Sequence, residues 1–298
     1  MRSGTATADP PAALTWERRG SVTSIDGTVI GYRQLGQGPG VVVLHGAMES
    51  AESHLQLARA LAGTFTVYLP DRRGRGTSGP YGSDYSVRRD VEDMDAVLQA
   101  TGAHFVFGVS SGALIWLAAA LTLPAIHKAA IFEPPLSVTG SVSTAFLPLY
   151  DAQIAKGDTS AALVTGMKAA QMGPPIFNAM PRWLLERLTR MMMASEDKKA
   201  LAGDVTMRAL APTLHYDFQL VIELERALER FQQIRADVLL LGGSRSPAYL
   251  KVALDALEKV LPHARRVELA GLGHGASGNA DRGGKPDVVA DQLRRFFA

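Results

Sequence analysis

The segment Phe105-Val-Phe-Gly-Val109 followed by Ser110-Ser111-Gly112 and then ten almost wholly apolar residues constrains this chain more than any other. A β-branched and aromatic run suits a buried strand, and Ser111–Leu121 suits a buried helix. Between them only a sharp turn fits. The turn has the pattern G-x-S-x-G, with Gly108 and Gly112 two residues on either side of Ser110. A serine at such an elbow takes a strained backbone, so its neighbours at −2 and +2 must be small. Its hydroxyl then projects from the sheet edge above a helix N-terminus. The N–H of Ser111 there can stabilise an oxyanion. As a string of letters the motif is weak, and a Gly/Ser turn without chemistry would read the same. The strand-turn-helix setting gives it weight. Ser111 also has a hydroxyl, but only Ser110 is flanked by glycine on both sides.

The rest of the chain is consistent with a parallel sheet. Val22–Leu35 reads as a hairpin broken at Asp26-Gly27. Val41–Leu44, Thr66–Leu69, Lys128–Phe132, Val238–Leu241 and Arg266–Leu269 are short apolar runs expected as strands. Helical spacing separates them at Glu52–Ala62, at Ser86–Thr101 with a serine cap, at Asp217–Ile234, at Pro247–Leu261 and at Pro286–Phe297. This alternation argues for a doubly wound α/β sheet. It stops after Pro134-Pro135. Residues 136–214 have helical patterns, no convincing strand, and seven of the ten methionines. They are expected to form a helical cap inserted into a core made of 16–135 and 215–298, with residues 1–15 a disordered tail.

Two more segments carry chemistry. Val41–Leu44 runs into His45-Gly46-Ala47, a strand ending in a glycine turn. Gly46 and Ala47 are placed in the oxyanion hole, with the Ala47 N–H as the second donor beside Ser111. His45 is expected to be a hydrogen-bonded structural histidine. Leu269-Ala-Gly-Leu-Gly-His274-Gly275 delivers a histidine on a glycine-rich loop before the last helix. An imidazole there can take the Ser110 proton and return it. A solvent-exposed loop histidine is the plainer alternative.

Composition removes other classes. The chain has no cysteine, so thiol catalysis, disulfides and cysteine-held metals are excluded. The seven histidines lack metal-ligand spacing, and no cofactor is expected. The 31 basic and 29 acidic residues are intermixed, which argues against nucleic acid as a partner. No apolar run is long enough to span a bilayer, and the first twenty residues lack a signal-peptide core, so a cytoplasmic location is the default.

The order His45-Gly46, then Asp71-Arg-Arg-Gly-Arg-Gly-Thr-Ser78, then the Ser110 elbow, then Gly273-His274 resembles the α/β-hydrolase family. The resemblance covers nearly all of the chain outside the tail and the insertion. It implies an eight-stranded, mostly parallel sheet with a cap inserted after the sixth strand. Asp71 and its glycines are then turn residues. The family's usual acid position follows the strand Val238–Leu241, but the loop Gly242–Pro247 has no carboxylate. The first carboxylate after it, Asp255, lies well into a helix. The fold's other known acid position follows the sixth strand, where Glu133 stands before two prolines that would stiffen it. Glu133 is therefore expected to orient His274. Haloalkane dehalogenases and zearalenone lactonases are similar in this respect, and a serine nucleophile excludes the dehalogenase reaction.

The resemblance implies a serine hydrolase. The expected substrate is a small hydrophobic carboxylic ester or lactone, with Trp183 and the cap methionines as candidate pocket wall. For most of those methionines, cap core is the better reading. Carbon–carbon bond hydrolysis, perhydrolysis on the same triad, and a non-catalytic small-ligand receptor are the alternatives. The oligomeric state is not readable from the sequence.

Overall fold

The computed structural model describes residues 17–173 and 176–298. The expected N-terminal tail lies outside them. Eight strands form one sheet in the order β1-β2-β4-β3-β5-β6-β7-β8. β1 (Arg18–Thr23) and β2 (Val29–Leu35) make the expected antiparallel hairpin. Gly27 supplies the positive φ of 86° that its turn requires. β3 (Gly40–Leu44), β4 (Thr66–Pro70), β5 (Phe105–Val109), β6 (Lys128–Phe132), β7 (Asp237–Gly243) and β8 (Ala264–Leu269) are mutually parallel, and β2 joins them antiparallel to β4. The eight-stranded, mostly parallel sheet is therefore as expected.

The uniform hydrophobicity of the central strands follows from burial on both faces. Side chains alternate, so Val42 and Leu44 enter the cluster on one face, while Val41 and Val43 enter the other. α2 (Val87–Thr101), α3 (Ser111–Ala120) and α10 (Ala248–Val260) contribute to the first cluster. α1 (Leu55–Leu61) and α11 (Pro286–Phe297) contribute to the second. α3 is enclosed all round: Leu114, Ile115 and Trp116 have no exposed surface. Burying each such side chain stabilises by roughly 1.5–3 kcal/mol, which anchors the elbow at its start. α11 instead buries one stripe, Val289, Leu293, Phe296 and Phe297.

Between β6 and β7 lies the helical insertion: α4 (Leu147–Ala155), α5 (Thr159–Ala169), α6 (Ile176–Ala179), α7 (Arg182–Lys199) and α8 (Met207–Leu210). α9 (Leu214–Leu224) follows it and returns to the core, packing on α3.

Two details differ from expectation. The single helix expected over Asp217–Ile234 is broken. After α9, Glu225 N–H donates to Ile222 O and Ala227 N–H to Leu224 O, tightening the chain into a 3₁₀ segment at Leu228–Gln233. Ser86 occupies the cap position of α2, but its side chain makes no capping bond. Glu223 of α9 accepts the Val87 N–H at 2.8 Å instead, so a distant carboxylate does the capping.

Candidate active site

Ser110 has φ 53° and ψ −122°, an unfavourable conformation for a residue with a side chain. The surroundings enforce it. A β-carbon on Gly108 would lie 2.5 Å from Trp116, and one on Gly112 would lie 2.5 Å from the His45 carbonyl. Both positions therefore exclude any side chain. The Ser110 N–H donates to Phe132 O at 2.9 Å, tying the elbow to the end of β6.

The residue after Phe132 is Glu133, fully buried and also at positive φ, 47°. Its Oε1 accepts the Gly243 N–H at 2.6 Å, and its Oε2 lies 2.7 Å from His274 Nδ1. The loop after β7 thus carries no acid and presents a backbone donor to one. A β-carbon on Gly242 would stand 3.1 Å from Glu133 Oε1, so its glycine leaves room for that carboxylate. A carboxylate at Nδ1 accepts a hydrogen bond from an N–H there, which leaves the lone pair of a neutral ring on Nε2. Among the described residues, nothing hydrogen-bonds Nε2. The His274 side chain is 13% exposed, and its ring lies 6.4 Å from that of Phe132, whose carbonyl holds Ser110. No hydrogen bond joins Ser110 Oγ to His274 among the described residues. Such contacts are commonly loose without substrate.

Across from His274 is the turn after β3. A β-carbon on Gly46 would lie 3.0 Å from Ser110 Cβ, so this turn is pressed against the elbow. Neither the Ala47 N–H nor the Ser111 N–H donates to a protein acceptor among the described residues. The Gly46 N–H is different: it donates to Glu49 Oε2 at 2.7 Å. That leaves the Ala47 N–H, and not the Gly46 N–H, open on this turn among the described residues. Gly46 contributes its small size and its carbonyl, because its donor is already engaged.

The expected structural role of His45 fits its contacts. Nε2 accepts the Arg72 N–H at 3.1 Å and Nδ1 faces Gly46 O at 3.0 Å, which fixes a neutral ring. Burial, with Arg75 and Arg72 nearby, holds its pKa well below the usual value. Asp71 accepts N–H groups from Ala51 and Thr77, as a turn residue does.

Sequence reasoning did not find the charged groups beneath these loops. Arg72, Arg75 and Asp217 are all buried. Arg72 Nη1 and Arg75 Nη2 donate to opposite oxygens of Asp217 at 2.7 and 2.6 Å. Burial alone would raise the Asp217 pKa, but Arg75 and Arg72 outweigh it and hold the carboxyl below its ordinary value. Nor did it find Glu49 and His54, whose side chains meet at 3.1 Å. The available signals were three arginines in Asp71–Ser78 and one aspartate amid the apolar face of α9. Each also reads as ordinary surface charge.

Trp183 lies near the start of α7 with 64% of its surface exposed, and it joins neither core cluster. An open cleft of about 1020 Å³ separates the insertion from the core. Ser53, Arg59 and Arg282 line its core side, and Met192, Lys199 and Met207 line the insertion side. No metal-holding cluster of histidines and carboxylates occurs among the described residues, and none of their helices is long and apolar enough to cross a membrane.

Residues 41–292 match the model of the Alpha/beta hydrolase family. The chain is 27% identical over 270 residues to a pimeloyl-[acyl-carrier protein] methyl ester esterase of Xanthomonas oryzae pv. oryzae, covering 89% of this chain and 97% of that protein. It is similar to the crystal structure of an alpha/beta hydrolase from Sphaerobacter thermophilus, with a TM-score of 0.76 and 34% identity over 94% of this chain and all of that one. A thermophilic esterase from Thermogutta terrifontis shares the fold, with a TM-score of 0.65 at 15% identity over 94% of this chain and 100% of that one.

Proposed function

Because this chain belongs to the alpha/beta hydrolase family, we propose that it hydrolyses carboxylic esters through an acyl-enzyme formed on Ser110. In this reading His274 Nε2 takes the Ser110 proton as Oγ attacks the ester carbonyl. The oxyanion of the tetrahedral adduct is held by the N–H groups of Ala47 and Ser111. The imidazolium then protonates the leaving alcohol. Water, deprotonated by His274, releases the acid and restores Ser110. Glu133 keeps the Nδ1 proton in place and offsets the imidazolium charge. The observation that carries the reading is the 2.7 Å contact between Glu133 Oε2 and His274 Nδ1, on a loop one strand away from a strained serine.

The ester-cleaving relative supports the bond type. A hydrophobic small ester or lactone is the substrate class we favour. The insertion, residues 136–214, acts as the lid in this proposal, and a cytoplasmic location is part of it. Trp183 is proposed to meet substrate rather than to support the fold, since so much of its ring is exposed. W183A should shift KM or ester preference while leaving Tm unchanged. A large fall in Tm with unaltered preference would remove it from the pocket.

The direct test uses a fluorophosphonate together with p-nitrophenyl esters and lactones, with acid release followed by pH. Wild type should be labelled at Ser110 alone. Ser110→Ala should fold normally and lose roughly 10⁴- to 10⁶-fold in kcat. Labelling elsewhere, or activity retained in that variant, would overturn the reading.

A further inference from the structure

The oxyanion donors of the proposed reaction sit on two loops far apart in sequence, one after β3 and one after β5. They share a single buried support. Arg75 Nη1 donates to Gly46 O at 2.7 Å. That carbonyl belongs to the same peptide group as the Ala47 N–H. In a trans peptide the two point in opposite directions, so a guanidinium fixed on the carbonyl aims the N–H away from itself. A charge-assisted bond to the carbonyl also polarises the peptide and strengthens the N–H as a donor.

The other arm is held from the same place. Ser111 Oγ donates to Asp217 Oδ1 at 2.8 Å and accepts from Arg72 Nη1 at 2.9 Å. The remaining oxygen, Oδ2, accepts from Arg75 Nη2 at 2.6 Å. One carboxylate therefore reaches Ser111 directly and Gly46 through Arg75. Around it stand the neutral ring of His45, and Asp90, 3.7 Å from Arg72 and hydrogen-bonded by Tyr85. Arg72, Arg75 and Asp217 are at most 3% exposed, so solvent does not weaken these bonds. Asp217 comes from α9, the first helix after the insertion. The support thus ties the donor loops to the segment through which the insertion rejoins the core.

We propose that Asp217, acting through Arg75 and Ser111, is a positioning residue that aligns the two oxyanion donors with each other. This rests on the serine-hydrolase reading. It makes the DRRGRG segment more than a turn: its last arginine sets the direction of the Ala47 N–H.

Arg75→Met and Ser111→Ala separate the arms. Each is compared with wild type in kcat and KM on a p-nitrophenyl ester, in affinity for a trifluoromethyl ketone, and in Tm. The ketone forms a tetrahedral adduct bearing the oxyanion. Arg75→Met should lower kcat about 10- to 100-fold with KM little changed, and ketone affinity should fall in step. Ser111→Ala, which keeps the ion pairs, should lower both several-fold. The double variant should lose less than the product of the two, because both act through one carboxylate. Folded variants with kcat and ketone affinity within twofold of wild type would overturn the proposal. Should Arg75→Met fail to fold, Ser111→Ala alone decides by the same criterion. Ser110→Ala in the same assay keeps the two claims apart. Activity there would sink the hydrolase reading itself. Its loss alongside unaffected Arg75 and Ser111 variants would sink only this one.

Discussion

Two glutamate–histidine pairs flank Ser110, and they are built almost alike. In each, a buried or half-buried carboxylate accepts one backbone N–H and meets one imidazole. Glu133 takes the Gly243 N–H and His274, and Glu49 takes the Gly46 N–H and His54. The difference lies at the second ring nitrogen. His54 Nδ1 lies 3.0 Å from the Ser277 carbonyl, and its side chain is wholly buried. Acceptors at both nitrogens require both protons, so His54 is an imidazolium with nothing to exchange. The carboxylate and the carbonyl raise its pKa although burial opposes the charge. Among the described residues His274 has an acceptor at Nδ1 only, and nothing hydrogen-bonds its Nε2. The same two residue types thus give a fixed charge on one side and a candidate base on the other. What separates them is one carbonyl oxygen.

The largest effect that tests this contrast is at Glu133. Glu133→Gln keeps the shape and removes the charge. Its amide can donate to Nδ1, which would place the imidazole proton on Nε2, the wrong side for a base. We expect kcat to fall by roughly 10²- to 10⁴-fold with a smaller change in KM. Steady-state kinetics on a p-nitrophenyl ester would show it. Near-wild-type kcat would mean that the acid lies elsewhere or that Ser110 and His274 act as a dyad.

Glu49→Gln is the matched substitution in the other pair, and its signature should be inverted. The imidazolium of His54 loses its counter-charge and sheds a proton. We expect a loss of about 1–3 kcal/mol in stability, read as a Tm lower by a few degrees. The effect on kcat should be only several-fold, since Arg75 still holds the Gly46–Ala47 peptide. If Glu49→Gln abolished activity without lowering Tm, the two pairs would not differ in the way argued.

How far each pair was legible in the sequence follows from the same physics. The strands, the elbow and His274 announce themselves locally, because glycine spacing and apolar runs are dictated by neighbours in the chain. Glu133 is legible only through the family resemblance, which implies a second acid position after the sixth strand when the loop Gly242–Pro247 has no carboxylate. Glu49 and His54 lie five residues apart, yet nothing in that spacing distinguishes them from surface residues. Their meaning depends on Ser277, 223 residues after His54. Asp217 is more remote still, since its partners come from the loops after β4 and β5. Contacts made only through the fold leave no local period. Gly46 shows the converse: a recognisable motif position whose N–H was already committed, which only the Glu49 side chain reveals.

The smallest expected effect, and the sharpest for the comparison, is the pH dependence of the Glu49 pair. Its hydrogen bonds and the neighbouring imidazolium hold the Glu49 carboxyl at about 2, against an ordinary 4.5, although burial opposes ionisation. A depressed carboxyl contributes stability that is present above its unfolded value and lost as pH falls toward the folded one. His54 is raised above its ordinary 6.5. Its contribution is complete below 6.5 and is lost as pH rises through the folded value. Both terms are therefore fully present between about 4.5 and 6.5. Arg282 opposes the His54 charge, and Arg75 and His45 stand near the same turn, but these remain in a Glu49→Gln variant. Subtracting the variant's Tm from that of wild type at each pH isolates the pair from every other titrating group. The difference should be largest in that window and shrink on both sides of it. A Tm difference for Glu49→Gln that stayed flat from pH 4 to 9 would mean that His54 is neutral. The contrast between a fixed imidazolium and a free base would then fail.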